Sequence, residues 1–217
     1  MKKILIKTQD SSYTFKSILF NECYHSTNGA YTESMHIFIN YGLKNFVNKT
    51  INILEIGYGT GLNAILSFVE NRKLKNKIFY HAIELYPISA EEFEELGYTT
   101  YINDKKLLEE FFADNWNKVV KPDSLFQIYK QQIDFMKFMP EKKYDLVYFD
   151  AFSPESQPEM WSYKNLEKIS DNMTKNGLLV SYCSKGSFKN NLRNLGFVVK
   201  RLPGPKGKRH IIKAIKT

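Results

Sequence analysis

Two short segments carry the residues best suited to chemistry. Glu55-Ile-Gly-Tyr-Gly-Thr-Gly61 follows the apolar run Ile51-Asn-Ile-Leu54, and Asp150-Ala-Phe-Ser-Pro154 follows Tyr144-Asp-Leu-Val-Tyr-Phe149. In the first, Gly57, Gly59 and Gly61 supply a tight turn and let the backbone approach a ligand closely. The helix that opens there turns its unpaired N–H groups toward polar ligand atoms. The glycine spacing is not the G-x-G-x-x-G of dinucleotide sites, and the Lys-Ser/Thr pair of a P-loop does not follow. In the second segment, a strand delivers Asp150 into an aromatic, proline-containing loop. A carboxylate there can orient an amine so that its lone pair points at an electrophilic methyl group, and can take the departing proton directly or through water. A strand-end aspartate also caps turns, and both readings of Asp150 fit the residues.

Other side chains extend this picture. Glu84 closes the apolar run Phe79-Tyr-His-Ala-Ile83, where a carboxylate can accept hydrogen bonds from adjacent ribose hydroxyls or simply face water. Glu55 either meets a ligand or organises the glycine turn. Phe152, Trp161 and Tyr58 are candidates for stacking on a flat base, although core packing fits Tyr58 and Trp161 equally well in a chain with 14 Tyr and 16 Phe. His25, His36, His81 and His210, with Cys23 and Cys183, form no recognisable metal array, and no bound metal is expected. Neither Ser26 nor Ser153 has the signature of a catalytic triad.

These residues need a frame. Segments 3–7 and 13–19 alternate like a hairpin, and 24–30 reads as a polar loop before a helix over 32–46. Strands are predicted at 51–56, 78–84, 125–129, 144–150, 178–183, 197–201 and 210–215. Helices are predicted at 61–70, 89–96, 103–117, 131–139, 159–173 and 186–195. This alternation predicts an α/β fold with a seven-stranded, mostly parallel sheet covered on both faces, with ligand sites beyond the strand C-termini. Only Leu202-Pro-Gly-Pro-Lys-Gly-Lys-Arg209 joins the last two strands, too short for a crossover helix, so they should pair antiparallel. Residues 1–48 form a small N-terminal cap, and 49–217 the main domain.

Charge narrows the partners. The 31 basic and 23 acidic residues give a formal charge of +8. Residues 185–217 hold ten Lys or Arg and no Asp or Glu, which fits either a solvated face or a polyanion-binding surface. Two cysteines give no disulfide framework, and neither a signal peptide nor a membrane span is recognisable, so a cytoplasmic location is expected.

Taken together, the motifs resemble those of the methyltransferase part of the bacterial bifunctional tRNA 5-methylaminomethyl-2-thiouridine biosynthesis proteins, and especially its stand-alone relatives. The resemblance runs through Glu22-Cys-Tyr-His-Ser-Thr-Asn-Gly-Ala30, Thr32-Glu-Ser34, Glu55 to Asn63, Glu84, Asp150 to Trp161, and Leu202 to Arg209. It implies a Rossmann-like class I methyltransferase that uses S-adenosyl-L-methionine to methylate the amine of 5-aminomethyl-2-thiouridine at the tRNA wobble position. Asp150 is then the active-site carboxylate. Gly57, Gly59 and Gly61 surround the cofactor, Glu84 holds its ribose, and Glu33 shapes the cofactor or substrate pocket. Lys185, Lys206, Lys208 and Arg209 position RNA phosphates.

Three departures from the family stand out. Gln131-Gln-Ile133 lies where relatives often carry an acidic adenine contact, leaving Gln132 as the polar group; Ala151 replaces a glycine; and His210 stands where an acidic residue is common. With no room expected for the relatives' FAD-dependent domain, separate upstream enzymes would supply the aminomethylated tRNA. A methyltransferase for another amine, or a nonenzymatic RNA-binding protein, are the alternatives.

Overall fold

A computed structural model describes residues 2–112 and 115–217. The chain opens with a three-stranded antiparallel sheet of β1 (Lys3–Lys7), β2 (Tyr13–Ser17) and β3 (Glu22–Cys23), followed by α1 (Ala30–Ser34). The helix predicted over 32–46 is interrupted. After α1 the backbone widens into a π-helical stretch, Met35–Asn40, and ends in a 3-10 turn, Leu43–Asn45. Gly42 lies between them, where a Cβ would fall 2.3 Å from the Phe38 carbonyl oxygen.

The main unit then alternates: β4 (Thr50–Ile56), α2 (Leu62–Leu74), β5 (Lys77–Glu84), α3 (Ala90–Glu95), α4 (Lys105–Phe112), β6 (Val119–Val120), β7 (Phe126–Gln132), β8 (Tyr144–Phe149), α5 (Tyr163–Asp171), β9 (Met173–Ser181), α6 (Gly186–Asn194), β10 (Phe197–Pro203) and β11 (His210–Lys216). Eight strands form one sheet in the order β10-β11-β9-β8-β4-β5-β7-β6. The five strands from β9 to β7 run parallel. β11 is antiparallel to both β9 and β10, as the short connecting loop requires, and β10 forms that edge. The eighth strand is the two-residue β6, antiparallel to β7 at the other edge and too short to leave a pattern in the sequence.

Burial explains the strand signals. β4 and β8 are each buried over their last four residues because both faces of the sheet are covered, so they read as apolar runs rather than alternations. One face packs Ile53, Tyr80, Phe126 and Tyr148 under α2, α4 and the π-helical segment; the other packs Leu54, Val147, Phe149 and Leu179 against Trp161, Leu166, Phe188 and Leu192. No helix among the described residues is long and apolar enough to cross a membrane.

Two predicted helices change. Segment 131–139 is not a helix: β7 continues through Gln132 by pairing with Glu84, and Asp134 then starts a turn by accepting from Met136 N at 2.8 Å. A short polar side chain that bonds its own backbone competes with helix formation. The helix predicted over 103–117 is α4, Lys105–Phe112; positions 113–114 lie outside the described residues, and 115–117 form a turn instead of continuing the helix.

At the centre of the sheet the ends of β4 and β8 nearly touch. Asp150 N donates to Ile56 O at 3.0 Å, and a Cβ on Gly57, whose φ is +90°, would meet the Asp150 carbonyl oxygen at 2.6 Å. Both the backbone angle and the space therefore require glycine. Gly57→Ala is expected to cost about 2–4 kcal/mol and to lower the Tm by roughly 5–15 °C. Thermal unfolding followed by circular dichroism checks this, and an unchanged Tm would refute the close passage.

Candidate active site

A cavity of about 640 Å³ opens beyond the C-terminal ends of the parallel strands, between the main sheet and the N-terminal segment. On one side lies the glycine turn. Gly57 N and Tyr58 N both donate to Ile83 O, at 3.1 and 3.0 Å, which fastens the turn to the end of β5. Gly59 N donates to Glu84 Oε2 at 2.9 Å, while Glu84 Oε1 accepts from Leu85 N at 2.9 Å and Tyr86 N at 2.8 Å. Each carboxylate oxygen accepts more than one hydrogen bond, so Glu84 keeps capacity for a ligand's hydroxyls. Gly59, at φ +55°, faces Tyr24, whose ring a Cβ would approach to 3.0 Å.

Asp150 stands across from this turn, immediately after β8. Asn63, from the first turn of α2, donates through Nδ2 to Asp150 Oδ2 at 2.9 Å and to Glu55 Oε1 at 3.0 Å. Glu55 is wholly buried beneath the turn and also accepts from the Tyr80 hydroxyl at 2.9 Å. Burial pushes the Asp150 carboxyl well above the usual carboxylate range, and the nearby Glu33 charge adds to this; the Asn63 hydrogen bond and Lys208 pull the other way. Asp150 is half-buried at the cavity wall, and that partial exposure softens the penalty without changing its sign. Burial pushes Glu55 upward as well, with hydrogen bonds from Asn63 and Tyr80 opposing and the Asp150 charge reinforcing.

The third wall is charged and aromatic. Lys208 Nζ pairs with Glu33 Oε1 and lies 4.2 Å from the centre of the Tyr182 ring. Tyr182 donates its hydroxyl to Ala151 O at 2.8 Å. Phe152 packs with Phe20 and Tyr24 at centroid distances of 4.8 and 5.0 Å, so three rings line the mouth. Glu22 ties the N-terminal sheet to the Asp150 loop by accepting from Ser153 N (3.1 Å) and Oγ (2.8 Å).

Of the residues singled out in the sequence, Glu33, Gly57, Tyr58, Gly59, Glu84, Asp150, Phe152 and Lys208 line this cavity. The rest lie elsewhere. Glu55 sits beneath the turn, and Gly61, at φ +77°, caps α2. The Tyr58 ring turns inward, its hydroxyl donating to Phe111 O at 3.1 Å. Trp161 is a core residue packed on Phe149 and Phe188, and its Nε1 donates to Phe152 O at 2.8 Å, so it supports the aromatic wall instead of stacking on a ligand.

Gln132 is exposed at the strand edge, and Asp134, two residues on, reaches the cavity in its place. Lys206 and Arg209 are exposed, and Lys185 pairs with Glu155 outside the cavity mouth. Asn63 and Glu22 fall within the family-like motifs, where sequence alone assigns them no role, and Asp134 falls within the segment predicted to be helical. Among the described residues, no three His, Cys, Asp or Glu side chains gather into a metal site. His25 lies in the cavity wall, bonded to Thr14 Oγ1 at 3.0 Å and held down at about 4 by burial.

A sequence model of an S-adenosyl-L-methionine-dependent methyltransferase family matches residues 106–217, just over half of the 217 residues. The chain belongs to this family. The matched part of this methyltransferase includes Asp150 and the terminal loop that carries Lys208. It is 28% identical over 214 residues to a Methanocaldococcus jannaschii protein without an assigned function, covering 98% of this chain and 59% of the relative. It is 24% identical over 226 residues to the tRNA 5-methylaminomethyl-2-thiouridine biosynthesis bifunctional protein of Leptospira interrogans, covering 94% of this chain and 34% of that protein. The chain thus spans less than two thirds of either relative. The crystal structure of MnmC2 from Aquifex aeolicus superposes with a TM-score of 0.78 at 23% identity, covering 99% of this chain and 70% of that one, and bears out the fold. The cavity suits the cofactor: Gly57 and Gly59 carry bare backbone along its wall, and Glu84 Oε2, which accepts from Gly59 N, keeps acceptor capacity beside them.

The raised Asp150 carboxyl carries a stability consequence. A carboxyl whose folded pKa lies above its unfolded value costs stability once pH exceeds the unfolded value, because ionisation is then harder in the folded chain. Asp150→Asn is therefore expected to raise the Tm at pH 7.5 by a few degrees, the scale on which about 1 kcal/mol appears in a chain of this size. The gain should vanish as pH falls to about 4. A lower Tm for the variant at pH 7.5 would contradict a carboxyl whose ionisation the fold disfavours.

Proposed function

We propose that this methyltransferase N-methylates the exocyclic amine of 5-aminomethyl-2-thiouridine at the tRNA wobble position, forming 5-methylaminomethyl-2-thiouridine. The observation that carries the reading is Asp150, a carboxyl with raised proton affinity placed in the same cavity as the glycine turn. Such a group suits proton transfer from an amine near neutral pH better than an ordinary surface carboxylate does. The similarity to the tRNA 5-methylaminomethyl-2-thiouridine biosynthesis protein of Leptospira interrogans supports the substrate class.

Gly57, Gly59 and Glu84 hold the cofactor, and Asp134 is the acidic group for its adenine end. Bound there, S-adenosyl-L-methionine would supply an electrophilic methyl group, its S–CH3 bond breaking as the N–CH3 bond forms and S-adenosyl-L-homocysteine leaving. Asp150 orients the amine nitrogen and receives the proton it loses, directly or through water. Phe20, Tyr24 and Phe152 accept the flat face of an extruded base, and alignment in a closed cavity provides the main rate gain. Lys206 and Arg209, outside the mouth, face the phosphates of the anticodon stem. The protein works in the cytoplasm on tRNA prepared by separate upstream enzymes.

Purified protein is incubated with S-adenosyl-L-methionine and with tRNAs that bear or lack the aminomethyl group, and nucleosides are analysed by mass spectrometry. One added methyl group on the aminomethylated nucleoside is expected, with Asp150→Ala lowering the rate at least about 100-fold while cofactor binding persists. No methyl gain by folded, cofactor-binding protein would exclude this substrate. Equal turnover by Asp150→Ala would remove Asp150 from the reaction.

A further inference from the structure

Lys208 belongs to the basic terminal loop, yet its side chain turns into the cavity rather than toward solvent. Its Nζ pairs with Glu33 Oε1 and sits over the Tyr182 ring. Glu33, only 6% exposed, uses its other oxygen to accept from Ser26 N at 2.7 Å. The loop that carries Lys208 is braced from several sides. Gly204 N donates to Arg209 O at 3.2 Å, Lys208 N donates to Pro205 O at 2.9 Å, and the Pro203 carbonyl lies 2.8 Å from His36 Nε2. Gly207 presses so closely on Asn28 that the side chain there leaves no room for a Cβ. This loop is built to deliver one ammonium group to one place.

That place borders Asp150. Glu33 and Lys208 line the same cavity and act on the Asp150 carboxyl with opposite sign. The other titratable groups around it are Glu55, linked through Asn63, and the Tyr182 phenol and His25 ring, which burial pushes toward their neutral forms. With Asp150 ionised, Glu33, Lys208 and Asp150 sum to one negative charge, which a single substrate ammonium neutralises. Without Lys208 the cavity would face two buried carboxylates, an arrangement that drives one of them to hold a proton.

We propose that Lys208, held between Glu33 and Tyr182, is a positioning residue for methyl transfer that keeps the Asp150 carboxyl in its proton-accepting state, and is not a contact to RNA phosphate. The proposal rests on the reading that an amine is methylated and that Asp150 takes its proton.

The test compares wild type with Lys208→Met, Glu33→Gln and the double variant by two readouts. The first is the acid limb of kcat/KM against pH with aminomethylated tRNA. Lys208→Met should move the limb to higher pH and Glu33→Gln to lower pH, each unit of movement being tenfold in rate on the limb, and the double variant should return toward wild type. The second is the 13C NMR titration of the Asp150 carboxyl without RNA, assigned with Asp150→Asn, in which the midpoint should move in the same directions. An unmoved midpoint in folded Lys208→Met overturns the proposal. So does a raised KM for tRNA with an unmoved acid limb, the result expected of a phosphate contact. Should Lys208→Met not fold, Glu33→Gln decides alone, and a midpoint that fails to fall rejects the proposal. NMR shifts in the stated directions with no methylation of any tRNA would support Lys208 while defeating the substrate reading.

Discussion

The ends of β4 and β8 approach until Gly57 lies against the Asp150 carbonyl, and the rest of the site is arranged around that contact. Only a residue without a Cβ can pass there, since a Cβ would meet backbone rather than a flexible side chain. The passage sets the glycine turn and the carboxylate on one edge of the sheet. It also starts α2 so that Asn63, in its first turn, reaches both Asp150 and the buried Glu55. A parallel sheet covered on both faces leaves space for a ligand only beyond its strand ends. The cavity lies there because helices pack against both faces of the sheet.

The cavity is completed by segments far apart in the chain. Glu22 clamps the Asp150 loop across 131 positions, and Lys208 reaches Glu33 across 175. The N-terminal sheet is therefore a wall of the site, further tied to the main unit by the Lys3–Glu92 ion pair at 2.8 Å. Two carboxyls, Glu55 and Asp150, lie where burial disfavours their charge, and Glu33 stands near them paired with Lys208. Such a cluster works against stability, and sites with a chemical task commonly tolerate that cost. Tyr182 and Trp161 support the same loop from behind by bonding the carbonyls of Ala151 and Phe152.

Much of the fold was legible because burial on both faces leaves continuous apolar runs in β4, β5 and β8, and because the eight-residue loop before β11 allows only an antiparallel return. Glu84 and Asp150 were legible as strand-end carboxylates. Gln132 lies outside the cavity because β7 runs three residues beyond the predicted strand, which leaves Asp134 at the cavity wall, and an Asx turn there resembles a helical segment in sequence. Trp161 had two readings in the sequence, a stacking contact and a core residue. Aromatic residues suit cores and ligand walls alike, and only the positions of Phe149 and Phe188 assign its ring to the core.

The sequence by itself determined the α/β class, the glycine turn and the carboxylates at the strand ends, because each depends on local properties: strand periodicity, the backbone freedom of glycine, and where an apolar run stops. The tertiary structure decided which charges meet. Lys206, Lys208 and Arg209 look alike along the chain, yet only Lys208 enters the cavity, because the braced loop turns that position inward against Glu33. Electrostatic coupling depends on separation in space and on exclusion of water, and neither is written in the spacing of residues along the chain.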